Sequence, residues 1–349
     1  MCINRRVLRW YEQYKRDLPW RKTNDPYHIW ISEIIFQQTR ISQGLVYYKR
    51  FVGRFPNVAA LARAREDTVL KYWEGLGYYS RARNLHKTAK YLYKNNFKNL
   101  PSGYSELLGL KGIGSYTAAA IASIAFNKPV ALVDGNVYRV LSRYYGIFTP
   151  IDSSSGKKLF LEKAGSLMNH EKPGDHNQAM MELGALVCLP RNALCNECPI
   201  RDRCYARIHN KIDDLPVKLK KIKPRKRYFF YFVFSDEHQN IYIKKREDKD
   251  IWQGLYDFPM VEKNISTVKP ETFLPAFLST DRFSVVGISR PYIHKLTHQT
   301  IMARFVKINI RSQYLKKYTG WIRVSSPRLK NFAFPTLIVN YLADQDAFS

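Results

Sequence analysis

The sequence holds no apolar run of the roughly 18 residues that a membrane-spanning helix needs. Its N-terminus, Met1-Cys2-Ile3-Asn4-Arg5-Arg6, lacks the long apolar core of a secretory signal. The expectation is a cytoplasmic chain that crosses no membrane. Acidic residues are scarce: 29 Asp and Glu stand against 57 Lys and Arg, a formal net charge of +28. A surplus that large points to a polyanionic partner rather than to a merely soluble basic protein. No basic amphipathic helix stands out to make a membrane surface that partner. Cysteine is sparse as well, at five residues, and four of them fall within the 17 residues from Cys188 to Cys204. A reducing compartment rarely stores cysteine as disulfides, so this cluster turns toward metal.

What is present divides the 349 residues into two textures. Residues 1–212 read as helical, with apolar residues three and four apart in Val7–Tyr14, Trp30–Phe36, Val69–Leu76, Leu85–Tyr93, Thr117–Ala125 and Val137–Tyr144. Pro and Gly punctuate these stretches at Pro19, Pro26, Pro56, Gly77, Pro101 and Pro129. Residues 213–227 read as an exposed basic linker, since seven of the ten residues from Lys218 to Arg227 are basic. From 228 to 349 the pattern becomes αβ. Tyr228-Phe229-Phe230-Tyr231-Phe232-Val233-Phe234 and Ile241-Tyr242-Ile243 are aromatic and β-branched runs that predict strands.

The four clustered cysteines follow C-x6-C-x2-C-x5-C at Cys188, Cys195, Cys198 and Cys204. Four thiolates on one short loop suit an iron–sulfur centre of the [4Fe–4S] type. Zinc also takes four cysteines, but its usual signature pairs two C-x2-C knuckles and only one is present. Four reduced, buried cysteines are the bland alternative. Arg191, Arg201, Arg203 and Arg207 surround the knot, which suits a rigid basic loop held against phosphates.

Leu110-Lys111-Gly112-Ile113-Gly114 leads into the alanine-rich run that starts at Ser115-Tyr116. Gly112 and Gly114 let the backbone turn sharply, and free amides at the helix start can hold a phosphate without reading sequence. Alone, Gly-x-Gly is an ordinary loop. Between two helical patterns in a basic chain it reads as a helix-hairpin-helix at 110–121, with Lys111 at its tip.

Two carboxylates sit in unusual company. Glu33 lies in Trp30-Ile31-Ser32-Glu33-Ile34-Ile35-Phe36, where desolvation would raise its pKa and keep a proton available near neutral pH. A glutamate on the polar face of an amphipathic helix is the alternative. Asp134, in Val133-Asp134-Gly135-Asn136-Val137, precedes a helical pattern, so N-capping is its default role and would keep it ionised. One raised and one ionised carboxyl would suit cleavage of an N-glycosidic bond, by analogy with sugar hydrolases.

These motifs together resemble one family, the MutY-type adenine DNA glycosylases, helix-hairpin-helix enzymes of base-excision repair. The resemblance runs along nearly the whole chain. It rests on Leu18-Pro19-Trp20-Arg21, Asp25-Pro26-Tyr27, Trp30-Ile31-Ser32-Glu33, Gln37-Gln38-Thr39, Gly75-Leu76-Gly77-Tyr78-Tyr79, Val133-Asp134-Gly135-Asn136-Val137, Asn177-Gln178-Ala179-Met180-Met181-Glu182-Leu183-Gly184 and the cysteine spacing. It implies a mainly α catalytic region with a [4Fe–4S] loop at 188–204, followed by an α+β, Nudix-like lesion-recognition domain. By the same resemblance, Glu33 is the acid that protonates adenine and then activates water, and Asp134 stabilises the sugar cation. Gln38 and Tyr78 wedge into the DNA stack. Trp20, Arg21 and Glu182 line the pocket for the flipped base, with Tyr116 and Asn136 near the reacting nucleotide. The implied partner is double-stranded DNA carrying adenine opposite 8-oxoguanine or guanine, bound by a monomer.

Four features qualify the likeness. In the C-terminal region, Trp252-Gln253-Gly254-Leu255-Tyr256-Asp257-Phe258-Pro259 resembles the Nudix-like opening motif, but no glutamate-rich metal box follows it, which implies recognition without hydrolysis. His294-Lys295-Leu296-Thr297-His298 resembles the lesion-sensing loop, with Leu296 and Thr297 where Phe and Ser are usual; Thr297 and His298 are the candidate contacts. Tyr116 stands where the endonuclease III type has a catalytic lysine, and Arg40 replaces a common glutamine. Without the amine, Schiff-base strand cleavage lacks its nucleophile, so a monofunctional glycosylase is expected. The competing readings are a bifunctional glycosylase and lyase of the endonuclease III type, and a non-catalytic DNA-damage binder.

Overall fold

The computed structural model describes residues 3–219, 224–263, 283–296, 298–315 and 318–346. Its contacts divide the chain into two units. One joins Met1–Arg63 to Asn84–Lys220, and the other joins Ala64–Arg83 to Lys221–Ser349. The expected catalytic stretch 1–212 thus contains a piece, 64–83, whose contacts lie in the second unit.

In the first unit, α1 (Ile3–Tyr14), α2 (Pro26–Ile35), α3 (Ile41–Arg54) and α4 (Val58–Arg63) lead to the segment that forms α5 (Glu66–Trp73) of the second unit. The chain continues through α6 (Ser80–Lys94), α7 (Tyr104–Leu108), α8 (Ser115–Phe126), α9 (Gly135–Tyr145), α10 (Ser154–Ser166), α11 (Pro173–Leu186) and α12 (Tyr205–Ile208). The six helical patterns read from sequence all fall on helices. At the centre is α8, whose Ala118, Ala119, Ala120, Ile121 and Ala122 are all buried. Small side chains let α2, α7 and α11 pack closely on it. Val7, Tyr11, Leu132, Val140, Phe160 and Leu183 belong to the core around it.

One close approach depends on a missing side chain. A Cβ on Gly184 of α11 would stand 2.6 Å from Asn136 Cβ, so glycine lets α11 meet the start of α9.

In the second unit, strands β1 (Arg225–Ser235), β2 (Asn240–Lys245), β3 (Tyr256–Asp257), β4 (Met260–Lys263), β5 (Phe283–Ile288), β6 (Tyr292–Lys295), β7 (Gln299–Ile310) and β8 (Trp321–Ser325) form one mixed sheet. Central β1 runs parallel to β7, with Phe230 opposite Arg304 and Phe232 opposite Val306, and antiparallel to β4 and β2. Both β5 and β6 pair antiparallel with β7. Its aromatic run is buried from Phe229 to Phe234, as a strand covered on both faces requires. Phe230, Phe232 and Phe234 pack with Val306 and Ile308, while Tyr231 stacks on Phe305 at 5.1 Å and Phe305 on Tyr341 of α13 (Thr336–Asp346) at 3.8 Å. Helix α5 is tied into this unit by Lys245 to Asp67 at 2.5 Å and by the Phe334 amide to Glu74 at 2.8 Å.

The stretch read as a linker has ordered ends. The Ile151 amide donates to Val217 O at 3.1 Å and the Leu219 amide to Asp152 at 3.0 Å, while Arg225 already opens β1. Among the described residues no helix is long and apolar enough to cross a membrane.

Phe232 is fully buried, so Phe232→Ala should cost about 3–5 kcal/mol of unfolding free energy. Val286 on β5 is 58% exposed, and Val286→Ala should stay within about 0.5 kcal/mol. Urea unfolding of both variants checks the contrast.

Candidate active site

Helix α2 begins where Asp25 accepts the Tyr27 amide at 2.9 Å and Pro26 pre-sets the first turn. Ile29, Trp30, Ile31, Ile34 and Ile35 then face the core. Glu33 is carried among them, half-buried, into a cleft of about 1150 Å³. The first turn of α8 supplies Tyr116 to the same cleft. The start of α9 adds Asp134 and Asn136, and α11 adds Met181 and Glu182. Trp20, Arg21 and Gln38 also line this cleft, so seven separated motif positions converge with Glu33 in one place.

The electrostatics follow from burial. Desolvation pushes the Glu33 carboxyl up to about 7; the Tyr116 hydroxyl, hydrogen-bonded to it, and the Arg21 guanidinium pull against this, while the Asp134 charge adds to it. Tyr116, buried beside Glu33 and with its hydroxyl 3.4 Å from Met181 Sδ, keeps its own proton far above the usual phenol range. Asp134 caps α9 as expected, accepting the Asn136 and Val137 amides at 2.9 and 2.8 Å and the Asn136 side chain at 2.9 Å. The sequence reading had capping keep this carboxyl ionised. Burial instead outweighs those donors and the Arg139 charge, so Asp134 also lies above its ordinary value. Glu182 differs: burial opposes its charge, yet Arg21 and Arg16 hold it down to about 2. Arg21 meets it through both terminal nitrogens at 2.8 Å, and Arg16 at 2.9 and 2.6 Å. The cleft therefore combines one carboxyl poised near neutrality with one that is permanently ionised and paired.

An apolar wall faces these groups. The Trp20 ring lies 4.4 Å from Phe36 and 5.1 Å from Tyr48. Gln38 is exposed at φ +58°, a left-handed conformation outside any helix. Sequence reasoning gave no site role to Arg16, Phe36, Arg139 or Met181, although Met181 stands within the 177–184 motif. Arg139 donates to Asn136 Oδ1 at 2.9 Å and to Cys188 O at 2.6 Å, joining the cleft to the cysteine loop.

The hairpin stands at 110–114. Gly112 has φ +81°, and a Cβ there would come within 2.6 Å of Asn84 Cβ, so only glycine fits the turn. Lys111 is exposed, its carbonyl accepting from Thr88 at 2.7 Å, and Gly114 caps α8.

Cys188, Cys195, Cys198 and Cys204 are free thiols lining one small cavity with Arg143, Arg201 and Arg207. Burial first, and then the mutual repulsion of their charges, raise the Cys198 thiol to about 12, a sign that the four stand together. Among the described residues no three His, Cys, Asp or Glu side chains are gathered as a single ion would need. Four thiols around one cavity are a donor set that a [4Fe–4S] cluster could use.

The remaining candidates lie in the second unit. Tyr78, 44% exposed at φ +48°, follows α5, with the Arg81 guanidinium 5.5 Å from its ring. His298 is exposed at the tip of the β6–β7 hairpin, and its carbonyl accepts the Arg225 amide at 3.0 Å. Thr297 lies outside the described residues.

Comparison with known proteins matches both units. The HhH-GPD superfamily of base excision DNA repair proteins matches residues 31–163, and the NUDIX domain matches 230–344. The chain is 35% identical over 342 residues to the adenine DNA glycosylase of Buchnera aphidicola subsp. Baizongia pistaciae, covering 92% of this chain and 91% of that one. It is 32% identical over 310 residues to the adenine DNA glycosylase of Buchnera aphidicola subsp. Schizaphis graminum, covering 87% and 86%. Among solved structures, a thermostable thymine-DNA glycosylase superposes at a TM-score of 0.55 and 28% identity, over 59% of this chain and 95% of that chain. The expected architecture stands: a helix-hairpin-helix glycosylase fold, then a Nudix-like domain with a mixed sheet.

Glu33 makes stability depend on pH. Its ordinary value is 4.5 and its folded value about 7, so folding loses stability as pH rises between them. Glu33→Gln removes that loss. Its melting temperature should match wild type near pH 4, exceed it increasingly up to pH 7, and gain nothing further above. Calorimetry across pH 4–8 checks this, and a constant difference would count against the burial argument.

Proposed function

The chain belongs to the adenine DNA glycosylase family, N-glycosylases of base-excision repair, and from that premise we propose how its cleft works on duplex DNA. The substrate is adenine opposite 8-oxoguanine or guanine, flipped out because the glycosidic bond is unreachable within the stack. The observation that carries the reading is Glu33: a half-buried carboxyl at about 7 holds its proton in a good share of molecules at neutral pH.

Glu33 gives that proton to the adenine, so the base leaves without a full negative charge. The bond breaks and the sugar becomes an oxocarbenium-like cation. Asp134, held by its cap and by Asn136, faces that cation with its negative charge. Glu33, now a carboxylate, takes a proton from the water that adds to the sugar. The step is hydrolytic, since Tyr116 offers no amine and is itself strongly protonated. Trp20 and Phe36 give the flipped base an apolar face, and the Arg21–Glu182 pair supports the polar end of the pocket.

Other parts of the chain hold the DNA. Lys111 and the amides around Gly112 and Gly114 suit a backbone phosphate. Gln38 and Tyr78 are exposed, as side chains that wedge into a base stack must be. His298, with Thr297 beside it in sequence, would check the opposite base. The protein acts as a cytoplasmic monomer. Cys188, Cys195, Cys198 and Cys204 would hold a [4Fe–4S] cluster, whose chemistry is to lock a loop carrying exposed Arg191, Arg201, Arg203 and Arg207 against DNA.

Gel analysis of duplexes pairing adenine with 8-oxoguanine or guanine, with and without alkali, tests the reading. Wild type should release adenine and leave an alkali-labile site. Glu33→Gln should slow single turnover by about 10²-fold or more, the usual worth of a positioned general acid. The wild-type rate should fall as pH rises above about 7, following Glu33. Equal rates for the two proteins would defeat the mechanism, and a high yield of borohydride-trapped adduct would favour a lyase.

A further inference from the structure

A buried charge must meet an opposite one or lose several kcal/mol of solvation. Arg143 of α9 is 2% exposed, and among the described residues no carboxylate meets it. Three carbonyls satisfy its N–H groups: Leu215 O at 3.0 Å, Leu189 O at 2.7 Å and Pro190 O at 3.3 Å. Carbonyl dipoles leave the net charge standing. The remaining partner is sulfur, since Nη1 also donates to Cys188 Sγ at 3.4 Å. Arg143 thus reaches the 188–190 turn and the 215 segment at once, beside the cavity of four thiols. Its own carbonyl accepts from Cys204 Sγ at 3.5 Å.

Neutral thiols would leave that guanidinium uncompensated. Four thiolates around an iron–sulfur centre carry net negative charge and supply what is missing. We propose that Arg143 is the positioning residue of the cysteine loop, giving the cluster its buried counter-charge and a hydrogen bond to the Cys188 sulfur. This rests on the cluster assigned above and adds two consequences to it. Closing the loop makes Arg143 necessary for keeping iron. Donating to a ligand sulfur, and placing a cation beside it, stabilises the more reduced, more negative state, so Arg143 raises the reduction potential. The distinction from the exposed arginines nearby is burial: water screens Arg201 and Arg207 but not Arg143.

The test uses the full chain as wild type, Arg143→Gln and Arg143→Lys. Iron per chain, the rate of cluster bleaching under chelator, and the reduction potential are measured. Arg143→Gln should bleach about 10-fold faster or more, on the scale of losing a group that supports a metal ligand. Its potential should move to more negative values. Arg143→Lys keeps the charge but not the planar fork. It should lose iron faster than wild type while its potential stays nearer the wild-type value, and it remains informative if the Gln variant does not fold. Arg9→Gln, an exposed arginine outside the cysteine cavity, serves as the control and should change neither. Iron-loaded Arg143 variants with unaltered bleaching and potential would overturn the proposal alone. A wild-type protein that takes up no iron would overturn the cluster assignment, and this proposal with it.

Discussion

The carboxyl group of Glu33 has little water around it, one hydroxyl donor in Tyr116 and a second carboxyl group nearby in Asp134. Those three conditions set where its proton sits, and each depends on a different stretch of chain. The apolar face of α2 removes the water. The first turn of α8 brings the hydroxyl. The cap of α9 brings the second charge. Small side chains along α8 let these helices close around the group, so the packing of an alanine-rich helix and the chemistry of one acid are the same fact seen at two scales.

Asp134 shows how a structural duty and a chemical one share an atom group. A cap is worth about 1 kcal/mol to a helix. Here the same hydrogen bonds aim the carboxylate into the cleft and oppose the effect of burial. Asn136 completes the cap and is held in turn by Arg139, which also grips the carbonyl of Cys188. Gly184 makes room for this arrangement. The cleft and the cysteine loop are therefore braced on one helix, with Arg139 and Arg143 one turn apart along it.

The second unit works on another principle. Its central strand is buried among aromatic rings, and the β6–β7 hairpin is built on β7, which pairs with β1 as well as with β5 and β6.

By itself the sequence determined the things that depend on local pattern. The helical periods, the aromatic strand, the cysteine spacing, the Gly112 turn and the Asp134 cap are each written in a few neighbouring residues. Motif likeness carried Trp20, Arg21, Tyr116 and Glu182 to their places as well. Only the tertiary structure decided what depends on distance through space. Whether Glu33 faced solvent or a cleft turned on what packs opposite α2, which no window around residue 33 contains. The balance at Asp134 between capping and burial turned on the same closure. Arg16 reaches Glu182 across 166 positions of sequence, and Arg143 finds sulfur where a carboxylate would be expected. Desolvation and charge pairing belong to the assembled interior, and that interior exists only once the helices have packed.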